Sequence, residues 1–169
     1  RAREIRAKRV HAADPIGLHP LLLTAAAELI TASGLPVDDR TGIILAAAGS
    51  RDVRAVGAME SLFRVEGPRI AADLRVRAVR AAYLDGGRPL GRIRTLMRCV
   101  DGCSSFVVVP VVIADGILRD RIVLAADSYD APVTPGALAD THALTELIAL
   151  RAGSAPAPTS NRSPSAAAR

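Results

Sequence analysis

The chain has 169 residues and is half apolar, yet it holds two Phe, two Tyr and no Trp, so Ala, Val, Leu and Ile must build its core. Its net charge of +5 comes almost wholly from arginine, with Lys8 the one lysine, and these arginines are spread along the chain without interleaved aromatics. That pattern argues for a solvated surface and against a nucleic-acid-binding patch, and no apolar stretch approaches the ~20 residues that span a bilayer.

In chain order, AKRVHAA (7–13) reads as a short strand and DPIGLHP as a turn into a helix over 20–32. Pro20 suits the start of that helix, Leu22, Leu23, Ala26, Leu29 and Ile30 form its apolar face, and Gly34 ends it. TGIILAAAGSRD (41–52) is an apolar run that stops at small residues and a polar turn, which predicts a buried strand over 42–48. A helix from Asp52 to Val65 follows, with Val53, Val56, Met59, Leu62 and Phe63 at three- and four-residue steps. LRVRAVRAAYL (74–84) alternates as a half-exposed strand does, putting Arg75 and Arg77 on its wet face. After DGGRP comes a helix with Leu90, Ile93, Leu96, Met97 and Val100 on one side. SFVVVPVV (105–112) is a continuous β-branched run, the mark of a strand buried on both faces. A helix over 116–124, a strand near 126–131 and a helix over 138–151 complete the pattern, and the Pro/Ser/Ala-rich stretch 152–169 is expected to be disordered.

Strands alternating with helices predict an α/β fold, with a parallel sheet covered by helices on both faces. Ligands of such sheets bind beyond the carboxyl ends of the strands, where AAGSRD (47–52), YLDGGRP (83–89) and VIADGIL (112–118) fall. A faint repeat relates 14–30 to 131–148, each running from a Pro/Gly turn into a helix with Glu-Leu-Ile near its end. It suggests that 1–32 are the closing strand and helix of a truncated first unit and 41–151 a complete second one. With arginine at position 1 and no signal-peptide or membrane-spanning pattern, the expectation is a soluble, cytoplasmic fragment of a longer chain. Cys99 and Cys103 form a lone C-x3-C. Zinc needs four ligands and no second pair exists, so both are read as reduced, structural thiols.

GIILAAAGSRD, FVVVPVVIADGILRDRI and DPIGLHPLLL resemble sirohydrochlorin chelatases of the CbiX type, over about residues 8–151. The resemblance implies a flavodoxin-like α/β unit, often duplicated in one chain. It also implies insertion of Fe2+ or Co2+ into sirohydrochlorin during sirohaem or cobalamin synthesis, with the metal as substrate and no permanently bound cofactor. The family's catalytic half carries His-Gly-Ser-Arg-Asp after its first strand and a second histidine in a Gly-His pair. Neutral imidazole suits both metal ligation and proton acceptance near neutral pH. Here Gly49, Ser50, Arg51 and Asp52 match, but Ala48 stands at the first histidine, and Ile117 follows Gly116 at the second. The expectation is therefore a non-catalytic second repeat, with no catalytic residue of its own. Gly49, Ser50, Arg51, Asp52 and Gly116 would line a tetrapyrrole cleft whose other half is an N-terminal repeat or a second chain. Ser50 and Asp52 read equally as helix caps, while Arg51 suits a carboxylate of the macrocycle. Of the three histidines, His11 lies in the first strand, His142 in the last helix, and His19 is the weak metal candidate, read first as shaping the turn at Pro20. Two other readings remain open: a stand-alone binding or dimerisation module, and an unrelated α/β domain whose AAGSRD loop cradles phosphate at a helix N-terminus. One glycine in that loop falls short of the phosphate-binding fingerprints.

Overall fold

The computed structural model describes residues 15–86 and 88–153. Helix α1 (Leu21–Ser33) leads to β1 (Thr41–Ala47), α2 (Val53–Leu74), β2 (Ala78–Tyr83) and α3 (Leu90–Leu96). One π-helical turn, Met97–Asp101, extends α3, and then come β3 (Ser105–Pro110), α4 (Ile117–Asp127), a 3-10 turn at 138–140 and α5 (His142–Gly153). The three strands form one parallel sheet in the order β2-β1-β3. β1 is its centre, and all seven of its residues are buried, as a strand covered on both faces requires. Its side chains alternate between two cores. Ile43, Leu45 and Ala47 join Leu23, Ala26, Leu29, Phe63 and Leu144 on the α1/α2/α5 side. Ile44 and Ala46 join Ile93, Met97, Phe106 and Ile122 on the α3/α4 side. Among the described residues no helix is long and apolar enough to cross a membrane.

The expected elements appear with five corrections. The strand expected near 126–131 is absent. Ile122 and Ala126 continue the buried stripe of α4 through Asp127, and only Val133 touches the sheet there, in an isolated parallel bridge to Val108. α2 runs nine residues beyond the expected Val65, through Pro68, because Phe63, Gly67 and Ile70 keep a buried face at helical spacing. Arg75 and Arg77 consequently do not sit on a strand. Arg75 ends α2 in a left-handed conformation (φ 54°), and the Arg77 Nε donates to the Asp101 carbonyl at 2.7 Å. Leu96 and Val100 are exposed instead of sharing the buried side of α3. The wider π turn beginning at Met97 breaks the 3.6-residue phase. The expected 138–151 helix divides at Thr141, whose extended backbone interrupts it and whose hydroxyl accepts the Leu144 N–H at 3.3 Å. Glu28 of α1 caps α5 from outside, its Oε2 accepting the N–H groups of His142 (2.8 Å) and Ala143 (3.3 Å). The expected 7–13 strand and nearly all of the 152–169 tail lie outside the described residues.

Candidate functional site

The chain leaves β1 at the point where the strand order reverses, β2 lying on one side and β3 on the other. In open parallel sheets this switch point forms the ligand crevice. The loop 48–52 is stitched to both neighbours: Leu84 N–H donates to the Ala47 carbonyl and Asp85 N–H to that of Ala48, both at 3.0 Å, and Val111 N–H donates to the Ala46 carbonyl at 2.7 Å. Gly49 makes the approach possible. It sits at φ 87°, and a Cβ there would overlap the Asp85 carbonyl oxygen.

Ser50 and Asp52 are engaged with backbone. The Ser50 hydroxyl accepts the Asp52 N–H at 3.0 Å, and the Asp52 carboxylate caps α2 by accepting the Arg54 N–H at 2.8 Å. Arg51 is exposed, with no partner among the described residues. Across the switch point, Gly116 (φ 147°) precedes α4, and Ile117 begins that helix 79% exposed. Ala48 therefore lies in the loop at the carboxyl end of β1 and Ile117 at the start of α4, beyond the carboxyl end of β3, and neither side chain offers a lone pair.

What surrounds them is apolar. Val53, Ile113, Ile117 and Leu118 are all exposed in these loops and first helical turns. Sequence reasoning missed this feature, because Val53 reads as part of a buried helix face until the helix is placed. Asp85 and Arg121 pair at 3.3 Å across the loops after β2 and at α4, and Asp115 pairs with Arg119 at 3.2 Å.

The remaining candidates are explained locally. The Nδ1 of His19 accepts the Leu21 N–H at 3.2 Å, which shapes the entry to α1. His142 is exposed at the start of α5, and His11 lies outside the described residues. Among the described residues no three His, Cys, Asp or Glu side chains cluster as a metal site. Cys103 is buried in the α3/α4 core and Cys99 is exposed. Burial pushes the Cys103 thiol above its usual pKa, with Asp101 adding to the rise.

The fold is that of the chelatase-like α/β proteins, three parallel strands in one sheet with helices on both faces. A solved structure similar to it is SirB from Bacillus subtilis with Fe3+, which is 16% identical and superposes with a TM-score of 0.62 over 88% of this chain. The chain spans 59% of SirB, less than two thirds of that protein's length. A protein described as a cobalamin (vitamin B12) biosynthesis CbiX protein from Marinobacter aquaeolei VT8 aligns at 21% identity over 67% of this chain and 94% of its own. Its TM-score of 0.47 adds nothing to the fold assignment. No protein-family model and no curated protein sequence matches the chain.

Proposed function

We propose that the chain is a non-catalytic repeat of a sirohydrochlorin-chelatase-type protein, forming one wall of a tetrapyrrole cleft and supporting a catalytic half. One observation carries this reading. The loops at the switch point keep the turn Gly49-Ser50-Arg51-Asp52 and the helix start at Gly116, while the positions that would hold imidazoles are Ala48 and Ile117. The exposed Val53, Ile113, Ile117 and Leu118 support it, since an apolar rim suits the face of a macrocycle or of an opposing domain. Arg51 is available to a macrocycle carboxylate, which a guanidinium binds bidentately.

The chain alone would not accelerate insertion of Fe2+ or Co2+ into sirohydrochlorin. General-base assistance is worth about a hundred- to ten-thousand-fold, and no residue at these two positions supplies it. Assaying residues 1–169 alone, and joined to a histidine-bearing chelatase repeat, tests the reading. Activity only in the joined protein is the expected result, and rapid turnover by the chain alone would sink it. In the joined protein, Arg51→Ala is expected to weaken tetrapyrrole binding by about 1–3 kcal/mol, the scale of a charged hydrogen bond.

A further inference from the structure

A groove of about 550 Å3 runs between α2 and α3 along the edge of β2 that no other described strand covers. Its existence follows from the sequence of α2. Gly57, Ser61, Arg64, Pro68 and Ala71 recur at alternating steps of four and three, so they share one face of the helix, and all five line the groove. None carries a bulky apolar side chain that would close the space against β2. Gly57 has nothing within 4 Å of where a Cβ would stand.

The charge of the groove is one-sided. Four arginines line it, Arg64, Arg77, Arg80 and Arg88, against one acidic residue, Glu60. Glu60 is already held by Arg88, at 3.0 Å from its Nε. Arg80 is taken by Asp101. Arg77 donates only to a backbone carbonyl, and Arg64 has no partner among the described residues. Two positive charges are thus left without a carboxylate. Arginines on an edge strand do guard it against pairing with other sheets. That accounts for Arg80, but not for Arg77 just ahead of β2, for Arg64 on α2 or for the small residues that hold the groove open.

We infer that this groove is a binding site for a small polyanion bearing carboxylate or phosphate groups, held by Arg64 and Arg77. The inference does not rest on the tetrapyrrole reading, and its test involves no macrocycle. Calorimetric titration of the full chain with citrate and with pyrophosphate, at about 0.15 M salt where charges are screened beyond about 8 Å, should give saturable binding of at least one. Citrate alone assigns the site to carboxylates, and pyrophosphate alone to phosphates. Arg64→Ala and Arg77→Ala should each weaken the bound probe at least roughly tenfold, as loss of a charged hydrogen bond does. Gly57→Leu fills the groove, and leucine is a better helix former than glycine, so the variant should fold and not bind. Arg69→Ala, on the same helix but paired with Glu66 and Asp73, should bind normally. The inference is overturned if neither probe saturates, if Arg69→Ala loses as much affinity as Arg64→Ala, or if folded Gly57→Leu still binds.

Discussion

Replacing Gly49 with alanine puts the geometry of the switch point to a direct test. The residue holds φ at 87°, and a Cβ would overlap the carbonyl oxygen of Asp85, which is backbone and cannot swing aside as a side chain would. Holding an alanine in a left-handed conformation costs about 1–2 kcal/mol. Relieving the overlap requires the loops 48–52 and 83–88 to separate, which strains the Leu84–Ala47 and Asp85–Ala48 hydrogen bonds, each worth about 0.5–1.5 kcal/mol. Alanine returns about 0.4–1 kcal/mol by stiffening the unfolded chain. The net expectation is a loss of about 2–4 kcal/mol, a large share of the ~5–15 kcal/mol that holds a domain together. Urea unfolding followed by circular dichroism should show a lowered midpoint with an unchanged m-value. Gly116→Ala is the matched control, also at positive φ (147°) but with open space around the new Cβ, so it should lose less. A loss below ~1 kcal/mol for Gly49→Ala, or one equal to that of Gly116→Ala, would refute the close approach.

Two further expectations come from buried hydroxyls. Tyr83→Phe removes a buried hydroxyl that has no partner among the described residues and should leave stability unchanged or raise it by up to about 1–2 kcal/mol, so a clear loss in urea unfolding would mean the hydroxyl is bonded. Thr41, 1% exposed, donates to Asp38 Oδ1 at 2.7 Å, and this bond, with the Arg40 N–H, lowers the Asp38 pKa below 3.8. A carboxylate depressed on folding stabilises the protein above its unfolded pKa, and that contribution fades as pH falls through the folded value. Thr41→Val should therefore cost stability at neutral pH, and the gap from wild type should narrow below pH ~3.8; a gap constant over the acid range would dissociate Asp38 from the effect.

β1, β3 and the capping turn were legible because their causes are local. Seven consecutive apolar or small residues in β1 and the β-branched run of β3 bury two faces wherever they are placed, and the Ser50 and Asp52 caps act within four residues of themselves. Other features depended on what lay opposite. α2 passes Pro68 because Ile70 finds the core beyond it, and the 126–131 segment remains helical because Ile122 and Ala126 bury together. Gly49 is a glycine because a carbonyl thirty-six residues away lies against it. The exposure of Val53 and Ile117 and the groove beside β2 are set by where packing stops, and a one-dimensional pattern of apolar and polar residues records which side chains favour burial but not which of them lack a neighbour.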